Sequence, residues 1–169
     1  MEKSWKFILL TAAILCIYLS AGCGKDDNGT GPDNSLPSVS VTVGTHQPTF
    51  PATGATYAPS VKWLLIGFDQ GQLGQYPIAL ISIFNADSIA VGNPAECTVS
   101  IAIDTTMQFI CGSSAQNDSS VAEVTFTRLE LSNGGRLTGD ITGRAERQDH
   151  PEEGLSTLQI HFSNIPVIM

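Results

Sequence analysis

Charge is what this sequence of 169 residues mostly lacks: Asp, Glu, Lys and Arg make up 14% of it, and the 8 basic residues face 16 acidic ones. Nucleic-acid binding draws on basic patches, so this composition argues against it. Histidine is scarce as well. His46, His150 and His161 stand far apart, so no local H-x-x-x-H metal clasp exists, and neither a metal nor a cofactor is expected. Gly112-Ser113-Ser114-Ala115 is not a G-x-S-x-G elbow, and Gly71 and Gly74 lack the lysine and helix of a phosphate loop. Glu123 and Glu130 differ in strand parity and would not face one another as a carboxylate pair. No catalytic residue is assigned. Past residue 22 no segment sustains a helical period, and no repeat recurs at solenoid or propeller spacing.

One long apolar run is present, Phe7 to Leu19, behind a short start with Lys3 and Lys6. A bilayer-spanning helix needs roughly 20 apolar residues, so this run is short for a permanent span. A basic start, a short apolar middle and small residues at the end read as a secretory signal. Its ending, Leu19-Ser20-Ala21-Gly22-Cys23, resembles the lipobox of bacterial lipoproteins. The resemblance implies cleavage after residue 22 and lipid on Cys23. Two or three acyl chains anchor a protein stably, because each buried methylene contributes about 0.8 kcal/mol and one chain alone is marginal. Gly24 in the second mature position, rather than aspartate, implies the outer membrane. Lys25-Asp26-Asp27 looks like the surface-export signal of Bacteroidetes lipoproteins, which implies display at the cell surface.

Three segments follow from this reading: a signal over 1–22, a Gly-, Asn- and Asp-rich tether over 23–35, and one domain over 36–169. Residues 1–22 hold Lys3, Lys6 and Glu2. The remainder therefore carries 6 basic and 15 acidic residues, a formal net charge of −9.

The domain shows short β-branched and aromatic runs between turn residues. Strands are expected over 39–43, 61–68, 78–84, 97–103, 107–111, 121–131, 136–146 and 158–162, with 46–59 read as loop or edge because of Pro48, Pro51 and Pro59. Val124 and Phe126 lie on one face while Leu129 and Leu131 lie on the other, which predicts a bulge near Thr127-Arg128. Asn133-Gly134-Gly135 predicts a hairpin turn. About eight strands and no helix imply an all-β antiparallel sandwich, with a jelly roll or partly closed barrel as the alternative. The C-terminal FTRLELSNGGRLTGDITGRA and LQIHFSNI are similar to the last hairpin and strand of uncharacterised secreted β-sandwich lipoproteins, a resemblance that implies no activity.

Of four cysteines, Cys16 falls in the signal and Cys23 in the lipobox, leaving Cys97 and Cys111. Such a pair in an exported domain reads as a disulfide. A hairpin turning at Asp104 would set Ile101 opposite Met107, Val99 opposite Phe109 and Cys97 opposite Cys111. His161, flanked by Ile160 and Phe162, is expected on a solvent face, and His150 in a solvated acidic loop. Among the aromatics that could bind, Phe50, Tyr57, Trp63 and Tyr76, Trp63 reads as core and Tyr76 as a loop anchor.

The expected function is a lipid-anchored, non-enzymatic envelope protein. Its partners would be the membrane, through Cys23, and another envelope protein or a glycan. The alternatives are an envelope hydrolase acting on polysaccharide or peptide, and an accessory subunit of a secretion or uptake complex.

Overall fold

Apolar residues at alternate positions give most elements after residue 37 one buried face. The computed structural model of the chain describes residues 35–72, 74–112, 115 and 119–169. The signal, Cys23 and almost all of the tether lie outside them. Ten strands form: β1 (Ser38–Val43), β2 (Ala52–Ala58), β3 (Trp63–Asp69), β4 (Ile78–Ile83), β5 (Pro94–Glu96), β6 (Thr98–Ala102), β7 (Gln108–Cys111), β8 (Ala122–Leu129), β9 (Arg136–Arg147) and β10 (Leu155–Ile168). The described helical pieces are two single 3-10 turns, Ala86–Ser88 and Pro151–Glu153. The protein is all-β, as the strand pattern predicts.

Hydrogen bonding runs through one mixed sheet, in the order β1-β10-β2-β3-β4-β6-β7-β9-β8-β5, with β9 and β10 also paired. The two long strands make this a sandwich. β9 pairs β8 from Leu137 to Gly143 and then β7 at Glu146 and Arg147. β10 pairs β1 from Leu158 to Ser163 and then β2, in parallel, at Val167 and Ile168. One half is therefore β1-β10-β9-β8-β5 and the other β2-β3-β4-β6-β7. Strands that switch halves need a bend, and bulges supply it. The β8–β9 register shifts between Phe126 and Arg128, at the position the phase switch predicts. A second shift lies between Phe162 and Ile165, where Asn164 adopts φ 54°. Buried positions on β10 accordingly change parity, from Leu158, Ile160 and Phe162 to Ile165 and Val167.

The inner faces of both halves merge into a single core. Phe126 and Phe162 meet edge-on, with ring centroids 5.9 Å apart, over Gly139, which pairs with both residues. A Cβ at Gly139 would stand 2.6 Å from the Thr125 carbonyl oxygen and 3.0 Å from the Phe162 ring, so only glycine fits.

Two strands exceed the expected eight. β2 occupies part of the stretch expected as loop: its prolines flank the strand instead of interrupting it, and all seven residues pair with β3. β5 is only three residues long, at the edge beside β8.

The hairpin of β6 and β7 forms, but two residues out of the expected register. Val99 pairs with Cys111 and Ile101 with Phe109, so Cys97 does not face Cys111. The Asp104 carboxylate explains the shift. Its Oδ1 accepts the N–H of Thr106 (2.7 Å), the N–H of Met107 (2.8 Å) and the Thr106 hydroxyl (2.8 Å). Asp104 thus opens the turn rather than standing at its apex. A two-residue shift preserves side-chain parity, so Cys97, Val99, Ile101, Phe109 and Cys111 all remain on the buried face. Cys97 and Cys111 are free thiols here, so the expected disulfide is not seen.

Candidate functional site

The two halves differ outside more than inside. Residues 52–58, 63–68, 78–84, 98–102 and 108–111, which make up almost all of β2-β3-β4-β6-β7, contain no Asp, Glu, Lys or Arg. β3 and β4 are apolar on both faces. Leu64, Ile66 and Phe68 enter the core, while Leu65 on the alternate side is 7% exposed without belonging to the core cluster. Leu80, opposite Gly67, is likewise 7% exposed and outside it. Antiparallel sandwich strands ordinarily alternate apolar-in with polar-out. β3 and β4 do not: Leu65 and Leu80 are apolar on the alternate side yet buried, and the large apolar side chains that reach solvent here are Phe84 and Val61.

Trp63 stands on that outward face, which corrects the expectation that it is core. Its indole Nε1–H donates to Ser82 Oγ at 2.6 Å. Its ring stacks on Phe84, with centroids 6.2 Å apart and planes 11° from parallel. Phe84 is 65% exposed, and Val61, beside the start of β3, is 61% exposed. Beyond them, Lys62 pairs with Asp87 at 2.9 Å, placing charge at the border of the apolar area. Phe84 is a further exposed aromatic, outside the four expected from the sequence. Its signal was present: an apolar run such as 78–84 buries one face in a sandwich and must present the other.

Two of the other three candidate aromatics are buried. Tyr57 is buried, and Phe50 is buried against Phe68 at 6.0 Å. Tyr76 is partly exposed in the connection before β4.

The other half carries polar groups outside. Register aligns Ser40 of β1, His161 of β10, Asp140 of β9 and Thr125 of β8 in one row. His161 Nδ1 lies 2.8 Å from Asp140 Oδ1, with both side chains more than half exposed, as expected for a solvent-side histidine. A serine, a histidine and an acid in sequence resemble hydrolytic chemistry. That chemistry also needs preset donors for an oxyanion in a water-poor site. This row lies on an exposed strand surface.

His150 sits as expected in the exposed acidic loop, its Nδ1 3.0 Å from Glu152, a contact that raises its pKa. The loop is organised around a cation of its own. Arg147 bridges Asp149 (2.8 Å) and Glu153 (2.8 Å), and its hydrogen bond holds the Asp149 carboxyl below the usual range. Among the described residues, no group of three His, Cys, Asp or Glu could hold a metal.

Burial, the larger cause, and proximity to Cys111 push the Cys97 thiol up to about 12; burial does the same for Cys111. Neither thiol is an activated nucleophile. The chain matches no protein-family model, no curated protein and no solved structure.

Proposed function

We propose that the chain is an envelope lipoprotein, acylated on Cys23 and carried at the outer membrane with display at the cell surface. Its β-sandwich acts there as a non-enzymatic module that binds another envelope protein. The observation that carries the binding reading is the Trp63–Phe84 stack with exposed Val61 beside it, on the outward side of strands whose one charged residue is Asp69. Aromatic side chains supply large contact area and concentrate in interface centres. The lipid reading rests on Leu19-Ser20-Ala21-Gly22-Cys23.

Two measurements test the two parts. A fatty-acid analogue fed to cells labels the wild type and not Cys23→Ser; equal labelling of both removes the lipid anchor from the reading. A photo-crosslinking residue at position 84 yields a discrete adduct with one envelope protein, while one at position 142, on the polar half, does not. Absence of an adduct at 84 removes the binding face.

A second reading, an envelope hydrolase acting on polysaccharide or peptide, draws on the Ser40–His161–Asp140 row. A fluorophosphonate probe labelling Ser40, and failing to label it in His161→Ala, would favour this reading over the first.

A further inference from the structure

β1 lies at the end of the strand order, with β10 on one side. The backbone groups that point the other way can be identified. Val43 N–H donates to the His46 carbonyl (3.0 Å) and His46 N–H returns to Val43 (2.9 Å), so the Val43 groups face away from β10. Gly44 N–H donates to Thr157 (2.9 Å), so Gly44 faces toward β10. Direction alternates along an antiparallel ladder. The N–H and C=O groups of Val41 and Val39 therefore also face away from β10, and no described strand pairs with them.

These groups open into a groove of about 560 Å³. One wall is Val39–Thr42; the other is Gln47–Pro51, closed by Gln70. The far wall is fixed in place: Gln70 Nε2 donates to the Thr49 carbonyl at 2.7 Å, and Phe50 is buried against Phe68. Pro48 and Pro51 have no N–H, so this wall is poorly suited to close as a strand onto β1. The lining holds no charged side chain, in a chain whose excess of acidic residues is large.

We infer that β1 is a strand-addition site: the groove takes an extended, uncharged segment of a partner protein, which pairs with the outward groups of Val39 and Val41. An open ladder edge asks for backbone donors and acceptors, so the occupant is a peptide strand. The wall at Gln47–Pro51 leaves room for one strand and obstructs the flat approach of a second β1 edge, which disfavours pairing of two copies. The paired length follows from β1: Ser38 to Thr42 spans about 13 Å at ~3.3 Å per residue, which suits a segment of about five residues. Alternate side chains of that segment would lie beside Val39 and Val41 against Phe50, and the others beside Ser38, Ser40 and Thr42. Apolar–polar alternation is therefore the specificity. The inference rests on the binding-module reading but uses an edge and residues separate from the Trp63–Phe84 face.

The test uses a defined probe, the acetylated and amidated peptide Thr-Val-Thr-Val-Thr, against the full chain in detergent. In the protein alone, amide exchange at Val39 and Val41 is fast, unlike at Ser40 and Thr42. The peptide at millimolar concentration slows exchange at Val39 and Val41 and shifts their NMR signals saturably. A peptide N-methylated at alternate residues, lacking two N–H donors, binds about tenfold more weakly or worse. Val39→Pro, which removes one outward N–H at a half-buried position, weakens binding while the melting temperature reports that the fold survives. Saturating peptide leaves the adduct from a photo-crosslinking residue at position 84 unchanged, so the two surfaces fail separately. Slow exchange at Val39 and Val41 in the protein alone overturns the inference. So does an unchanged spectrum at millimolar peptide, or equal binding of the N-methylated peptide.

Discussion

The backbone N–H of Asn164 donates to Oγ1 of Thr138 at 3.2 Å. This bond fastens the bulge of β10 to the first turn-side residues of β9. Arg136 Nη1 donates to the Asn164 carbonyl (3.3 Å), and Arg128 Nη1 to its side-chain oxygen (3.5 Å). On the other flank, the Thr127 hydroxyl donates to the Thr138 carbonyl at 3.3 Å, so both bulges close on one residue of β9. Asn164 is buried with φ 54°, a conformation that asparagine tolerates better than most residues.

Asn164→Ala loses the side-chain acceptor and strains the backbone, and should lower stability by about 2 kcal/mol. Asn164→Gly relieves the strain and should cost less. Urea unfolding midpoints give the order. An alanine variant within about 0.5 kcal/mol of wild type would mean the bulge is held by its neighbours alone.

Gly139→Ala places a methyl group against the Thr125 carbonyl and the Phe162 ring, and overpacking of this kind costs about 1–3 kcal/mol. Gly54 on β2 has open space where its Cβ would go, so Gly54→Ala should be near neutral. Thermal melts of the two variants should separate clearly; equal melting temperatures would count against the packing account.

Much of this fold is legible in the sequence because strand parity is. The bulge of β8 shows as a phase change from Phe126 to Leu129, and the structure bends there. The same phase change from Phe162 to Ile165 and Val167 was equally readable, but Pro166 and the polar Ser163-Asn164 pair mask it as a strand end. β2 was hidden by flanking prolines, whose effect depends on which side of a strand edge they fall. The hairpin register failed by two residues because parity fixes the face and not the partner, and only the contacts of Asp104 choose the turn. The apolar runs of β3 and β4 are plain in the sequence, but apolar runs alone do not say which of their residues reach the surface.

Asp104 makes that hairpin acid-sensitive. The Thr106 and Met107 N–H groups, then the Thr106 hydroxyl, lower its pKa from the ordinary 3.8. A carboxylate depressed in the folded state contributes its stability in full above the ordinary value, and loses it as pH falls through the folded value. Asp104→Ala should therefore melt below wild type at neutral pH, and the gap should narrow in acid. A gap that stays constant from neutral pH to well below the ordinary aspartate value would show that the charge of Asp104 does not hold the turn.

Cys97 and Cys111 should resist alkylation in the folded protein. With both thiols pushed up to about 12, almost no thiolate exists at mildly alkaline pH, and burial denies access to the reagent. Iodoacetamide followed by peptide mapping should leave both unmodified in the native protein and modify both in urea. Rapid native labelling of either would show that the β6–β7 end opens locally. Resistance that persists in urea until reductant is added would show a bond between them.

Trp63 offers an optical reading of the outward face. Trp5 and Trp63 are the two tryptophans of the sequence, so Trp63 is the reporter in protein that begins at Cys23. Its indole is held by Ser82 Oγ and covered on one side by the Phe84 ring. Phe84 is 65% exposed, so Phe84→Ala removes the cover at little cost to the fold, within about 0.5 kcal/mol for a surface change. The emission of Trp63 should shift to the red and its quenching by acrylamide should increase, with an unchanged melting temperature. Ser82→Ala should act differently. It leaves the Nε1–H of a half-buried indole without its acceptor, and should lower stability by about 1 kcal/mol. Unchanged emission in Phe84→Ala would show that the stacked ring does not shield the indole, and that the aromatic centre of this face does not form as a unit.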